Sequence, residues 1–335
     1  MATPNEERLA EAWRALDEDN PKPGWDTLPI PSNSTCLLLA GRHHPRNQES
    51  LLIGFSAARL PKQSGLPQSK GFSLDTVELH FQGGRYDCLA ITRQASASVE
   101  IFSAMLDDII AVLERHQRAE SDHVIAVIDR IVGWQRFMSR DDDGLLKGDE
   151  ELGLLGELQV LRLLLDAGVA PPTALEWWQG PLDSLHDFVA PRGDLEVKAS
   201  TRTGSFSAMI KSLDQLDETI VQPLYVAAVQ FSLSASGTRL PECVQLIWDA
   251  LSIDITCSEA FERRLLAAGY HQTMASRYHR QFSYLVTHFY EVCGDLPRLT
   301  KRNVPLGVLD AVYRVEFDAC KLKCLVLADI LPHLG

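Results

Sequence analysis

The segment at residues 149–167, DEELGLLGELQVLRLLLDA, constrains the fold most, because it is apolar on nearly every face of a helix. Its three leading acids suit the positive end of a helix dipole. Such a helix has to be buried, yet Glu157 lies in its middle beside Gly156. An ionised carboxylate in an apolar setting is costly unless it has a partner. The candidates are Arg162, a nearby helix end, or a metal site shared with other acids.

A second informative stretch is LHDFVAPRGDLEVKAS at residues 185–200, in which a Pro-Arg-Gly-Asp turn joins two short apolar runs. Turn chemistry of this kind predicts that the two runs pair as an antiparallel hairpin. In a strand, the period of two places Glu196, Lys198 and Ser200 on one face. The hairpin would then bring Asp187 close to Glu196.

Two neighbouring carboxylates repel each other, and a shared proton or a bound cation relieves the repulsion. Oxygen ligands favour magnesium or manganese. Lys198 could orient or help to deprotonate an attacking water and stabilise negative charge on a phosphate. The pattern therefore indicates metal-assisted phosphodiester hydrolysis. The alternatives are an ordinary exposed Glu-x-Lys strand, or a coincidental motif in which Asp187 and Glu196 lie far apart.

The remaining periodicity predicts an α+β protein. Four short apolar runs between residues 35 and 92 indicate a small antiparallel sheet, and residues 96–114 and 122–138 have helical spacing. The acidic run at residues 140–144 indicates a boundary. Further on, residues 223–233 predict a strand, while later segments predict mixed strands and helices. We expect three domains: a β-rich and helical domain at 1–145, a core at 146–235, and an α+β extension packed on the core at 236–335.

The formal net charge of −13 argues against a general polyanion-binding surface, so any nucleic-acid surface must be local. Between residues 261 and 303, seven cations outnumber three acids and alternate with Tyr270, Tyr278, Tyr284 and Tyr290. This pattern favours a DNA-binding surface, and a solvated helix face is the alternative. The seven cations are Arg263, Arg264, Arg277, Arg280, Arg298, Lys301 and Arg302.

Several classes of protein find no support in the sequence. The chain has no signal-peptide pattern and no apolar run long enough for a membrane span, so we expect a cytoplasmic protein without a membrane role. Its seven scattered cysteines include no Cys-x-x-Cys pair, which indicates reduced thiols rather than zinc. There is no phosphate-binding loop, so an ATP-driven step would need a partner.

Four stretches together resemble the PD-(D/E)XK nuclease superfamily, and more narrowly the bacterial PD-(D/E)XK motif proteins of restriction-like defence gene clusters. They are LGLLGELQVL, Trp178-Gln179-Gly180-Pro181, His186-Asp187-Phe188 and EVKAS at residues 196–200. The resemblance implies a central four-stranded mixed sheet flanked by helices. It also implies a metal, Mg²⁺ with Mn²⁺ as a substitute, held by Asp187, Glu196 and the backbone carbonyl of Val197.

By the same resemblance, Lys198 is the catalytic lysine and Glu157 is the helix-borne acid that supports the metal site. Gln215 and Ser200 are the supporting candidates nearby, and His186 stands where the family motif has proline. The implied function is a metal-dependent DNA endonuclease of a restriction-like or anti-phage defence system. The alternative is a non-catalytic DNA-binding or scaffolding subunit. ATPase-type proteins and methyltransferases are the implied partners, and a homodimer would suit double-strand cleavage.

Overall fold

The computed structural model describes residues 4–16, 23–115, 119–138, 145–317 and 322–335. The chain forms two compact units, residues 1–144 and 145–335. The acidic run at 140–144, where the sequence predicts a boundary, lies outside the described residues. The division of the second unit into a core and an extension stays a prediction.

The first unit is an antiparallel sheet with helices. Its elements are α1 (Pro4–Ala15), β1 (Gly24–Pro29), β2 (Leu37–His44), β3 (Gln48–Phe55), β4 (Phe72–Phe81), β5 (Gly84–Arg93), α2 (Val99–Arg115) and α3 (Glu120–Met138). The strand order is β1-β2-β3-β5-β4, with every neighbouring pair antiparallel. The four predicted strands and two predicted helices are confirmed, and β1 is an addition.

A buried ion pair joins the two long helices of this unit. Arg130 of α3 donates from Nε and Nη2 to the two carboxylate oxygens of Asp108 on α2, at 2.5 and 2.6 Å. Trp134 Nε1 also donates to Asp108, at 2.6 Å. All three side chains are buried. A carboxylate inside an apolar helix pair is tolerated because a cation and a further donor compensate it.

The second unit contains the predicted mixed sheet. Its elements are α4 (Gly148–Asp166), α5 (Pro171–Trp177), β6 (Phe188–Ala190), β7 (Gly193–Ser200), β8 (Ser207–Ile210), β9 (Leu224–Thr238), α6 (Leu240–Leu251), α7 (Ile255–Ala268), β10 (Phe282–Glu291), β11 (Tyr313–Glu316) and α8 (Leu327–Ile330). The four-stranded sheet has the order β10-β9-β7-β6, and β8 and β11 form a separate two-stranded sheet. Only β7 and β9 pair in parallel within the described part of the four-stranded sheet. The α+β prediction is confirmed.

The predicted hairpin forms at β6 and β7, where Phe188 pairs with Leu195. Strand β9 is apolar and buried over residues 224–229, as is typical of a strand covered on both faces. Helix α6 follows directly on the end of β9 and begins at Leu240. No helix in the described ranges is both long enough and apolar enough to cross a membrane.

Helix α4 packs directly on β7 because it carries a glycine at the contact. A Cβ on Gly156 would lie 2.8 Å from the Cβ of Ala199 and 3.3 Å from Cγ1 of Val197. Any larger residue would force the helix away from the sheet. The close approach also determines the depth at which Glu157, the next residue, enters the unit.

Candidate active site

The hairpin brings the two predicted acids together. Asp187 immediately precedes β6, and its Oδ2 accepts a hydrogen bond from the backbone N–H of Val197 at 2.7 Å. The backbone N–H groups of Gln179 and Gly180 donate to the Asp187 carbonyl at 2.8 and 2.9 Å. Glu196 is the residue before Val197, so the alternative in which the two acids lie far apart is wrong.

Glu157 has a partner that the sequence did not predict. The indole Nε1 of the buried Trp178 donates to Glu157 Oε2 at 2.8 Å. The candidate Arg162 instead faces Asp166, with 3.6 Å between its Nε and the aspartate Oδ2. A buried tryptophan usually finds an acceptor for its N–H, so the Trp-Trp-Gln-Gly-Pro run held a signal for this contact.

Gly180 leaves the space in which two of the acids converge. A Cβ at this position would lie 2.7 Å from Asp187 Oδ1 and 2.9 Å from Glu157 Oε2. A side chain at this position would displace both carboxylates from these places. The glycine therefore allows the carboxylates of α4 and of the β6 hairpin to face one another across a small gap.

Lys198 and Gln215 hold the third acid. Lys198 Nζ lies 2.5 Å from Glu196 Oε1, and Gln215 Nε2 donates to the same oxygen at 2.9 Å. The side-chain oxygen of Gln215 accepts from the backbone N–H of Lys211 at 2.8 Å, which orients its amide. Ser200 is buried, and its hydroxyl accepts from the Arg202 backbone N–H at 3.2 Å.

Burial, and to a smaller extent mutual repulsion, raises the pKa of two of the acids. The pKa of Glu157 is raised to about 7, because desolvation and the charge of Glu196 together outweigh the Trp178 hydrogen bond and Lys198, which lower it. Desolvation, followed by the charges of Glu196 and Glu157, holds the pKa of Asp187 well above its ordinary value. Desolvation lowers the pKa of Lys198, but the neighbouring carboxylates outweigh it and the net pKa is raised. Lys198 therefore stays protonated and positively charged at neutral pH.

These groups open into a cleft of about 450 Å³ in the second unit. Glu157, Asp187, Glu196 and Lys198 line it together with Val197, Ser200 and Gln215. All seven predicted residues of the catalytic region thus lie in one place. Three cations outside the predicted set also line the cleft, namely Arg202, Lys211 and Arg314.

A model of the family described as "Putative PD-(D/E)XK family member (DUF4420)" matches residues 9–318. The chain belongs to this family. The match covers both units, so it extends well beyond the short motifs that carry the resemblance. Searches of curated proteins and of solved structures found no match.

Nucleases of the PD-(D/E)XK type typically use divalent metals, which makes the fit of a cation a test of the site. Within the described residues, no group of three or more histidine, cysteine, aspartate or glutamate side chains is arranged to hold a metal ion. Glu196 Oε1 faces Lys198 and Gln215, and Asp187 Oδ2 faces the Val197 N–H. The predicted metal ligands Asp187 and Glu196 lie close together, and their carboxylates accept hydrogen bonds from protein N–H groups.

The donor chemistry nevertheless fits a hard divalent cation, which prefers oxygen ligands. Asp187 Oδ1 and Glu157 Oε2 converge at Gly180. The Val197 N–H points to the edge where Asp187 lies, and a strand residue directs its C=O to the same edge as its N–H. Pairing of β7 with β6 stops at Leu195, so strand β6 does not cover that edge at Val197. The oxygen donors that the resemblance implies are therefore present at the cleft.

The predicted DNA-binding cations are largely engaged within the protein. Arg264 donates to the Trp178 carbonyl at 2.8 Å, which supports the tryptophan that holds Glu157. Arg280, Arg298 and Lys301 form ion pairs with Glu151, Glu218 and Asp214, respectively. Arg263, Arg277 and Arg302 are exposed.

The prediction that the tyrosines share a binding surface with those cations is wrong for three of the four. Tyr270, Tyr278 and Tyr290 are buried at 1–4% exposure, because they pack in the interior of the unit. Tyr284 is the exposed one of the four. Tyrosines of an amphipathic pattern serve a core as readily as a binding surface, and the sequence does not separate the two.

Proposed function

We propose that this protein is a metal-dependent endonuclease that hydrolyses phosphodiester bonds in DNA, acting in a restriction-like or anti-phage defence system. The observation that carries the proposal is the convergence of Glu157, Asp187, Glu196 and Lys198 in one cleft. Family membership supports nuclease-type chemistry. The DNA substrate and the defence role come from the sequence resemblance.

In this proposal Asp187, Glu196 and the Val197 carbonyl hold Mg²⁺, which Mn²⁺ can replace. The bound cation supplies positive charge for the phosphate oxygens and acidifies a water molecule. The convergence of Asp187 Oδ1 and Glu157 Oε2 at Gly180 supports such a site, because neighbouring carboxylates favour a bound cation.

Lys198 has two tasks in the proposed mechanism. It remains protonated because the acids raise its pKa, so it orients the attacking water by donation and stabilises negative charge that develops on the phosphate. The water's proton then has to go to a carboxylate. Glu157 is the best-matched acceptor, since its pKa of about 7 lies near neutral pH.

The test is cleavage of supercoiled plasmid and of single-stranded DNA with Mg²⁺, Mn²⁺ or EDTA. We expect wild-type protein to nick DNA only with metal. Asp187→Ala and Lys198→Ala should each lose about 10²–10³-fold or more, the usual cost of removing a group that stabilises developing charge. Asp249→Ala, an exposed acid on α6, and Lys62→Ala, an exposed lysine, serve as matched controls with full activity.

Failure of wild-type protein to cut either substrate, alone and with ATPase-type and methyltransferase proteins as the partners that the resemblance implies, would reject the nuclease. A non-catalytic DNA-binding subunit would then be the better description. Cleavage that survives in Asp187→Ala and Lys198→Ala would point to a contaminating nuclease or another site.

A further inference from the structure

We propose that Arg202, Lys211 and Arg314 form the surface that binds the DNA backbone beside the cleavage site. This inference rests on the proposed nuclease function and names the residues that hold its substrate. It moves the substrate-binding role from the basic region at residues 261–303 to the rim of the cleft itself.

The three cations come from different elements but border one cleft. Arg202 follows β7, Lys211 follows β8, and Arg314 lies on β11. All three side chains are exposed and line the cleft that contains Asp187 and Glu196. A phosphate backbone bound in the cleft beside the acids therefore has these three cations within the same lining.

These cations are available for a ligand. In the parts of the chain that the structure describes, the side chains of Arg202, Lys211 and Arg314 form no ion pair. By contrast, Arg298 and Lys301 are paired with carboxylates of the same unit. Unpaired guanidinium and ammonium groups release counterions when phosphates bind, which is the main source of affinity for a nucleic-acid backbone.

The charge of the cleft requires such groups. Its lining includes the acids Asp149, Glu157, Asp187 and Glu196, against Lys198 at the centre. A polyanion would be repelled by this lining and by the net charge of −13 unless cations stood at the entrance. The three rim cations raise the positive charges of the lining to four, which equals the number of acids.

The backbone of each cation is held in place relative to the site. The Arg202 N–H donates to Ser200 Oγ, and its carbonyl accepts from Gln230 Nε2 at 2.8 Å. The Lys211 N–H donates to Gln215, the residue that also holds Glu196.

Arg314 pairs with Met209 in the two-stranded sheet of β8 and β11. Ala208, Ile210 and Val315 of this sheet pack into a buried apolar cluster. The three positions are therefore anchored to rigid structure, while their side chains extend to solvent.

The experiment measures binding of a labelled DNA duplex and a single strand by fluorescence anisotropy in EDTA, with the Lys198→Ala variant as the parent so that no cleavage occurs. We compare the triple variant Arg202→Ala/Lys211→Ala/Arg314→Ala with the charge-matched control Arg263→Ala/Arg277→Ala/Arg302→Ala. Both remove three exposed cations from the same unit.

We expect the cleft variant to weaken duplex binding at least 10-fold. The slope of log K against log salt concentration, which is negative, should become shallower by about 2–3, because each lost phosphate contact removes roughly 0.9 from its magnitude. The control should bind within about twofold of the parent. A charge-conserving variant, Arg202→Lys/Lys211→Arg/Arg314→Lys, should regain most of the affinity, which separates charge from misfolding.

Equal loss in both triple variants would overturn the inference, since net charge alone would then explain binding. Unchanged binding by the cleft variant, or no binding by the parent at 50 mM salt, would also overturn it. Preference for an RNA duplex over DNA would overturn the assignment to DNA. Binding that depends on Arg202, Lys211 and Arg314, without any cleavage by wild-type protein, would support the surface and reject the nuclease. The failure of one proposal is therefore distinguishable from the failure of the other.

Discussion

In residues 1–144, Arg130 binds both carboxylate oxygens of the buried Asp108, whereas in residues 145–335 three carboxylates face one another across a cleft. Asp108 also accepts from Trp134. Glu157 likewise accepts from a tryptophan, Trp178. The two regions thus use similar groups, and they differ in how much of the negative charge is compensated.

This difference teaches that a buried acid is not by itself a sign of function. The Asp108 pair is compensated within the protein, as a structural pair has to be. In the second region desolvation raises the pKa of Glu157 and of Asp187, and surplus negative charge from Glu196 adds to the rise. Stability given up in this way is typical of sites that bind a cation or move protons.

Removing the acid of the structural pair should have the largest effect on stability. Asp108→Ala leaves Arg130 buried at 5% exposure with its charge uncompensated, so we expect a loss of about 3–5 kcal/mol in the free energy of unfolding. Denaturant unfolding monitored by circular dichroism measures it. Glu242→Ala, which breaks a largely exposed pair with Arg239, should cost no more than about 1 kcal/mol.

The double variant Asp108→Ala/Arg130→Met should regain part of the stability, because no unpaired charge remains. A loss below about 0.5 kcal/mol in Asp108→Ala would show that the pair is not structural, and the comparison between the two regions would fail.

Removing an acid from the cleft should increase the free energy of unfolding, whereas removing Asp108 should decrease it. Glu157 has a folded-state pKa of about 7, above its ordinary value of 4.5, so the folded protein binds more protons between these pH values. Stability is then fully present below about pH 4.5 and falls as the pH rises to about 7. Glu157→Gln should flatten this dependence and, in EDTA at pH 8, stabilise the protein by on the order of 1–2 kcal/mol.

Thermal unfolding in EDTA across pH 5 to 8 measures this, with Asp249→Asn as the exposed control. A Glu157→Gln variant that is less stable than wild type at pH 8 would contradict the picture of surplus negative charge. Added Mg²⁺ should reverse the order, because a bound cation stabilises wild-type protein in proportion to its affinity.

The smallest expected effect concerns the tryptophan that holds Glu157. Trp178→Phe removes a hydrogen bond that lowers the pKa of Glu157, so the pKa should rise further. We expect the acidic limb of the pH profile of cleavage to move to higher pH, with about a tenfold loss of rate. A uniform loss of rate with an unchanged profile would show that Trp178 acts through packing alone. Trp248→Phe, another tryptophan of the unit, is the matched control.

Much of the candidate site could be predicted from the sequence because its parts are close in the chain. The turn between β6 and β7 and the period of two in a strand place Asp187 beside Glu196 without reference to any other element. The tertiary role of Trp178 was not predicted, because its contact with Glu157 spans 21 residues. The Asp108 pair was missed for the same reason, since its partner lies on another helix.

The sequence by itself determined the α+β class and the hairpin that carries Asp187 and Glu196, because local turns and residue periodicity express them directly. Only the tertiary structure decided which charges are compensated. Arg298 and Lys301 read as binding residues, yet Glu218 and Asp214, 80 and 87 positions away, take them as ion-pair partners. Arg202, Lys211 and Arg314 carried no local signal, and packing placed them at one cleft. Charge pairing depends on distance in space, and a charged residue's neighbours in space are chosen by the packing of the whole unit.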